Sequence, residues 1–471
     1  MGIIRFTPYG WRGRYDEDFT EDSVIRITTA LGKVWAERTP GSSVLIGYDG
    51  RYSSESFALL AGKVLAESGL RAIVSTDICP LPALAWSAAH TEACAGALMV
   101  SASEESSEYG GLIVRGTDGG PISESFARRV ERLVGTEAVY PESEISRADF
   151  VAPYLKDLCD FVDLDKISNA HLRLVVDPMY GAASGYLFRA LEAIGCSVTQ
   201  LHAGPQDDFG GLHPQPVEPW ADECEQVVQC QKADVGLLLS GDGNRAAIVD
   251  ERGRLVTPHN MIPVVLAHLV RDCGEKGRVV TTLASSMRTE RLAHLLGLST
   301  TAVPVGFSRI YGEILQKDVL MAAEEYGGIC LPKHLYERDG LLVCLLVLEV
   351  LATAGCPLSQ VVADITREIG PMDYIRRDIR LDAGEAQSLE NVLPGLNPSQ
   401  IAGRRPTSVN HADGLRLQFS DGSWCMLRPS RSGNVARVYA EAPNSSERDE
   451  LLTALCELAR DPQMWRNCVA Q

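Results

Sequence analysis

The 471-residue chain lacks long hydrophobic runs, paired cysteines and an excess of positive charge. Its longest apolar run, Leu341 to Leu348, is cut by Glu349, whereas a membrane-spanning helix needs about 20 apolar residues. The N-terminus has no charged-then-apolar leader pattern. Met1-Gly2 is not an acylation signal either, since Phe6 stands where Ser or Thr is required. None of the 13 cysteines forms a C-x-x-C pair, and Cys159, Cys196, Cys344 and Cys456 lie in apolar segments. They read as reduced core thiols rather than as a metal cluster or a disulfide framework. Lys and Arg number 44 against 62 Asp and Glu, a net charge of −18 that argues against nucleic acid as a partner. No segment is low-complexity. A cytoplasmic protein that engages neither membrane nor nucleic acid is expected.

What is present fits a large multidomain fold. The chain is 45% hydrophobic, enough for several separate cores. Short apolar runs alternate with amphipathic helical patterns, the signature of α/β layers. Val44 to Tyr48 reads as a buried strand, followed by a helix from Ser53 to Ser68 with Ser53 or Ser54 as its cap. Leu172 to Val176 reads as a strand, followed after Asp177-Pro-Met-Tyr-Gly181 by a helix to Gly195. Val279 to Leu283, a turn at Ala284-Ser-Ser286 and a helix to Leu296 repeat the plan. These three units look like a divergent internal repeat. From about Met372 the pattern changes to a stretch rich in Gly, Pro and Asn, Gly384 to Pro406, and then two strands, Leu415 to Phe419 and Ser423 to Arg428. We place the joins near 150, 258 and 370, giving segments 1–150, 151–258, 259–370 and 371–471.

Several motifs run in a fixed order along nearly the whole chain. They are Phe6-Thr-Pro-Tyr-Gly-Trp-Arg-Gly13, Gly47-Tyr-Asp-Gly-Arg-Tyr-Ser-Ser54 and Val100-Ser-Ala-Ser-Glu-Glu-Ser-Ser-Glu-Tyr-Gly-Gly-Leu-Ile-Val114. His213-Pro-Gln-Pro216, Leu239-Ser-Gly-Asp-Gly-Asn-Arg245, Val303-Pro-Val-Gly-Phe307 and Ala323-Glu-Glu-Tyr-Gly-Gly328 follow. Arg428-Pro-Ser-Arg-Ser432 with Arg437-Val-Tyr-Ala-Glu-Ala442 completes the series. Together they resemble the α-D-phosphohexomutases, the phosphoglucomutase/phosphomannomutase superfamily. The resemblance implies an α/β protein: three related α/β domains with mixed sheets plus a smaller C-terminal α+β domain, around a central cleft.

The same resemblance implies roles for individual residues. Ser103 stands at the serine that carries the transferred phosphate, with Arg12 as a nearby cation. Ser240, Asp242 and Asn244 occupy the positions of three magnesium-binding aspartates, so only one carboxylate remains and any Mg2+ site is expected to be weak. Glu324 and Tyr326 lie at the sugar-reading loop, where tyrosine replaces a serine. Arg428, Ser430, Arg431 and Ser432 lie at the phosphate-binding loop, with Arg437 beyond it, and Arg431 adds a further bidentate donor in place of glycine. Ile113 replaces the lysine beside the transferring phosphate and cannot move a proton. Glu104 replaces a histidine and sets a negative charge beside an incoming phosphate, which costs about 1–4 kcal/mol at about 4 Å. Glu104 and Glu105 read as a solvated acidic turn, as metal ligands relocated to join Asp242, or as permanent charges standing in for phosphorylation.

Tyr9, Leu81, Tyr180 and Ser308 likewise replace polar motif residues, while the scaffold glycines and prolines stay. The leading expectation is a protein that binds a hexose phosphate or similar small anion, with phosphoryl transfer weakened or lost. One alternative is an active phosphosugar mutase with an altered metal site and substrate. The other is a non-catalytic partner in a homo-oligomer or other assembly.

Overall fold

The computed structural model describes residues 4–135, 138, 140–430 and 434–468. It contains four sheets laid out in chain order, one of six strands, then five, four and five. In the first, Ser43–Tyr48 pairs in parallel with Arg71–Ser75 and Cys94–Val100, and the antiparallel strands Tyr109–Arg115 and Trp11–Arg14 extend one side. Every residue of Ser43–Tyr48 and Cys94–Val100 is buried, as expected of strands covered on both faces. The second sheet centres on Arg173–Asp177, parallel to Ser197–Gln200 and Val235–Leu239, with Ala246–Val249 added antiparallel. The third centres on Arg278–Thr282, parallel to Thr300–Val303 and Val319–Ala323, with Ile329–Cys330 antiparallel at the edge. The fourth is wholly antiparallel, with the helix Ser445–Arg460 packed on it.

This plan decides where the motif loops fall. In each of the first three sheets, one parallel strand turns back into an antiparallel neighbour, and the loop between the two carries the motif. Residues 101–108 join Cys94–Val100 to Tyr109–Arg115, 240–245 join Val235–Leu239 to Ala246–Val249, and 324–328 join Val319–Ala323 to Ile329–Cys330. The phosphate-loop motif begins on Trp424–Pro429, whose antiparallel partner is Val435–Ala442. The motif loops are thus hairpin connections at equivalent places in a repeated architecture.

One apolar core runs through the first three layers, joining Leu45, Met99 and Ile113 to Leu174, Leu237 and Leu345. The helix Gly340–Ala354, which holds the longest apolar run, lies almost wholly inside it. Among the described residues no single helix is long and apolar enough to cross a membrane. Each described cysteine is a free thiol; Cys196 and Cys344 are buried, while Cys159 and Cys456 are half-buried. One local expectation fails. Neither Ser53 nor Ser54 caps the helix Ser54–Glu67: Ser53 is left-handed (φ 54°) with no side-chain cap, and Ser54 Oγ donates instead to Asp49 Oδ1 at 2.9 Å. The buried Asp49 carboxylate takes the Ser54 hydroxyl as a donor and fixes its direction.

Candidate active site

Ser103 sits at the crest of its hairpin in a left-handed conformation (φ 57°), held by a bond from its N–H to Ser101 Oγ at 2.9 Å. The loop is braced from below by Arg51. Its Nη1 donates to the carbonyls of Ser106 (2.6 Å) and Tyr109 (3.1 Å), and its Nη2 to those of Ser103 (2.8 Å) and Glu105 (2.7 Å). The remaining donor, Nε, meets Asp49 Oδ2 at 3.1 Å with both side chains fully buried, and the guanidinium lies 4.7 Å over the Phe209 ring. A guanidinium that spends nearly all its donors on one loop fixes that loop's path. Ile113 points into the shared apolar core at 3% exposure, where its burial contributes about 1.5–3 kcal/mol. Packing has taken over the lysine position.

Asp242 is the hub of the second loop. Ser103 Oγ donates to its Oδ2 at 2.6 Å, while Ser240 Oγ (3.0 Å) and the Asn244 N–H (3.3 Å) donate to its Oδ1. Arg245 N–H donates to Ser240 Oγ at 3.1 Å, and the Arg245 guanidinium pairs with Glu104. Burial works against the Arg245 charge, but Glu104 and Glu324 more than offset it and raise its pKa. Arg12 pairs with Glu105 at 2.9 Å on the exposed rim. Glu104 is therefore not a solvated turn residue: it is largely buried and ties the first layer to the second through Arg245.

The donor set is a poor one for a magnesium ion, in keeping with the weak site expected. One carboxylate is present, both its oxygens already accept hydrogen bonds, and a guanidinium stands next to the alternative ligand Glu104. Asn244 Oδ1 and Glu104 Oε1 are buried without a partner, yet they add one neutral and one already neutralised oxygen. Among the described residues, Asp242, Glu104 and Glu105 do not bring three ligand oxygens within 4.8 Å of one another. What remains is an aspartate turn with a left-handed Gly243 (φ 74°), held by its own side chain.

The third and fourth layers meet differently. Glu324 is committed to Arg338 at 2.8 Å, and Arg338 also reaches Glu337, which pairs with Arg115 of the first layer. The neighbouring Glu325 has the available oxygen. Its Oε2 accepts from Thr282 at 2.8 Å, while Oε1 is buried with no hydrogen-bond partner, and burial together with the Glu324 charge raises its pKa. The Tyr326 hydroxyl is likewise buried without a partner, and its ring carries the Arg376 guanidinium at 4.8 Å. Arg428 is buried and paired with Asp413, Nε to Oδ2 at 3.1 Å; Asp413 also accepts the Val305 N–H at 2.9 Å. Ser430 closes the strand end, its N–H donating to Val435 O at 2.7 Å. Arg437 is 4.0 Å from Asp378. Arg431 and Ser432 lie outside the described residues.

The structure thus brings Ser103, Asp242, Ser240 and Asn244 into one hydrogen-bonded group and sets Arg12 at its rim. Tyr326 and Arg428 lie at the contact between the third and fourth layers, Glu324 faces Arg338 and Arg245, and Ser430 closes a strand end within the fourth. Arg51, Arg245, Arg338 and Glu325 were not among the expected site residues. Arg51, Arg245 and Glu325 stand inside quoted motifs, so their type was visible but not their targets. Two departures from the motifs also meet: Tyr9 Oη lies 3.2 Å from Ser308 Oγ, 299 residues away, and a Cβ on Gly306 would come within 2.5 Å of that hydroxyl.

Three family models match, the phosphoglucomutase/phosphomannomutase alpha/beta/alpha domains I, II and III, over residues 4–140, 152–253 and 257–369. The chain belongs to the phosphoglucomutase/phosphomannomutase family of the α-D-phosphohexomutase superfamily. It is 26% identical over 460 residues to a phosphoglucomutase/phosphomannomutase of Thermococcus kodakarensis, covering 96% of this chain and 97% of the relative. It is 29% identical over 456 residues to a phosphoglucosamine mutase of Halorhodospira halophila, covering 94% and 93%. A solved structure from Thermus thermophilus, provisionally named a phosphomannomutase, superposes with a TM-score of 0.87 at 29% identity over 98% of this chain and 100% of that one. The N-acetylphosphoglucosamine mutase of Aspergillus fumigatus, solved with GlcNAc-6P and magnesium, shares the fold alone, with a TM-score of 0.56 at 15% identity over 98% and 96% of the two chains.

Proposed function

We propose that this protein binds a hexose phosphate and that its metal-dependent phosphoryl transfer is weakened or lost. The observation that carries the reading is the closed state of the transfer side. Ser103 is bonded to the sole carboxylate of the metal loop, and Glu104 and Glu105 hold Arg245 and Arg12. Phosphoryl transfer depends on cations placed to neutralise developing charge, and here those cations are already neutralised. Binding is supported by the buried unpartnered Glu325 Oε1 and Tyr326 hydroxyl, which together accept from and donate to sugar hydroxyls. Related structures bind GlcNAc-6P and glucose 1,6-bisphosphate, which favours a phosphosugar ligand. The division at 150, 258 and 370 stays our own reading, supported by the four sheets falling on either side of those points.

Calorimetric titration with glucose 1-phosphate, glucose 6-phosphate and glucosamine 6-phosphate, with and without magnesium, tests the proposal. Binding of one of them that ignores magnesium is the expected result. Magnesium-dependent interconversion of 1- and 6-phosphosugars that disappears in Ser103→Ala would overturn it.

A second reading has one observation in its favour. The 2.6 Å bond from Ser103 Oγ to Asp242 places a base on the serine, as an altered mutase requires. It predicts the mass of one added phosphoryl group on Ser103 after incubation with glucose 1,6-bisphosphate. An unchanged mass removes it.

A further inference from the structure

Away from the motif loops, the helix Pro258–Arg271 ends beside the helix Gly340–Ala354 in a group of four side chains of mixed chemistry. His268 Nε2 lies 3.2 Å from Glu349 Oε2 and 3.7 Å from Cys273 Sγ. One ligand atom from each of these three residues falls within 4.8 Å of the other two. A tetrahedral zinc ion with ordinary Zn–N, Zn–O and Zn–S bonds holds its nitrogen about 3.4 Å from an oxygen ligand and about 3.6 Å from a sulfur ligand. The spacings from His268 are those of a zinc coordination shell to within about 0.2 Å.

The outer contacts also match what a metal-binding histidine requires. Asp272 Oδ2 is 2.8 Å from His268 Nδ1, which leaves Nε2 to face the sulfur and the carboxylate. The other oxygen of Glu349 accepts the Asp163 N–H at 3.2 Å, so the carboxylate too is held in place. Lys166, a neighbouring cation, is drawn to Asp163 at 3.3 Å. His268 and Glu349 are buried while Cys273 is exposed, so the group opens to solvent on its sulfur side. That leaves an entry path and a fourth position for water.

We propose that His268, Cys273 and Glu349 bind a divalent cation of the zinc class, with Asp272 as a positioning residue for His268. Thiolate and imidazole ligands select a borderline-soft ion and disfavour magnesium and calcium. The ion clips the end of one helix to the middle of another, in a core shared by three layers. The site stands apart from the phosphosugar reading, and either can fail without the other.

The test is titration of the metal-free full-length protein with Co2+, followed by absorption, with Zn2+ as competitor. The expected result is saturation at one equivalent, with a thiolate-to-cobalt charge-transfer band in the near ultraviolet that Zn2+ abolishes. Cys273→Ser, an exposed substitution that keeps the fold by circular dichroism, removes the band. Asp272→Asn weakens Zn2+ binding about 10–100-fold. Cys230→Ser, at the other exposed thiol, leaves the band unchanged. The proposal is overturned if the wild type shows no charge-transfer band, if the band survives Cys273→Ser, or if Cys230→Ser removes it.

Discussion

The serine side and the sugar side each leave buried polar atoms without a partner, and they differ in how their charges are held. On the first these atoms are Glu104 Oε1 and Asn244 Oδ1, on the second Glu325 Oε1 and the Tyr326 hydroxyl. Around Ser103 nearly every charge has found a partner within the protein: Asp242 takes two hydroxyls, Glu104 takes Arg245 and Glu105 takes Arg12. Around Tyr326 two buried polar atoms, Glu325 Oε1 and the tyrosine hydroxyl, have none. A buried polar group without a protein partner costs about 1–3 kcal/mol unless an ordered water or a ligand supplies the bond. The serine side ties its carboxylates Glu104 and Glu105 to arginines, while the sugar loop keeps one Glu325 oxygen without a partner.

The largest effect should come from removing the brace under the serine side. Arg51→Met leaves Asp49 as an uncompensated buried charge and strips four loop carbonyls of their donor. The expected loss is about 3–5 kcal/mol in urea unfolding. A loss below about 1 kcal/mol would show that the loop holds its own shape.

The second experiment opens the closed side. Glu104→Gln frees Arg245 and removes a negative charge facing an incoming phosphate. Glucose 6-phosphate should then bind about tenfold more tightly, equivalent to about 1.4 kcal/mol, at the low end of the like-charge cost. Unchanged affinity would mean that the phosphate never approaches Glu104, and the contrast between the two sides would lose its functional meaning.

Tyr326→Phe probes the open side and should have two effects of opposite sign. Deleting an unpartnered hydroxyl should stabilise the free protein by up to about 1 kcal/mol and weaken phosphosugar binding several-fold. Thermal melts with and without ligand separate the two effects. A variant that loses stability without ligand would show that the hydroxyl has an internal role.

Much of this architecture is legible in the sequence, and the reason is local. The strands Ser43–Tyr48, Arg173–Asp177 and Arg278–Thr282 announce themselves as apolar runs closed by turn residues. The motifs fix which loops matter because their glycines and carboxylates recur at set spacings. What the sequence hides is which partner each polar group reaches. Glu324 and Glu325 are neighbours of identical chemistry, and only the position of Arg338 decides that the first is consumed and the second left open. Tyr9 and Ser308 look like two separate losses until the fold brings them to 3.2 Å. Arg428 looks like a free anion anchor until Asp413, 15 residues earlier, is found beside it.

The smallest expected effect lies just beneath the closed side. The turn after Arg173–Asp177 supports the metal loop, with the Ala182 N–H donating to Gly241 O at 2.8 Å. Beside that turn, His202 bridges Asp177 at 2.9 Å and Glu223 at 3.1 Å. Its hydrogen bond to Asp177 raises the His202 pKa above the ordinary 6.5, with burial opposing and the two carboxylate charges assisting. The native state therefore holds this proton more tightly than the unfolded chain does. That stabilisation is fully present below pH 6.5 and is lost as pH rises through the raised value. One proton sets the ceiling on the slope at about 1.4 kcal/mol per pH unit. Melting temperature should fall across that interval in the wild type, and His202→Gln should flatten the fall without changing phosphosugar affinity. An equal slope in both proteins would place the pH sensitivity elsewhere. A change in affinity would show instead that the closed side still governs what the open side binds.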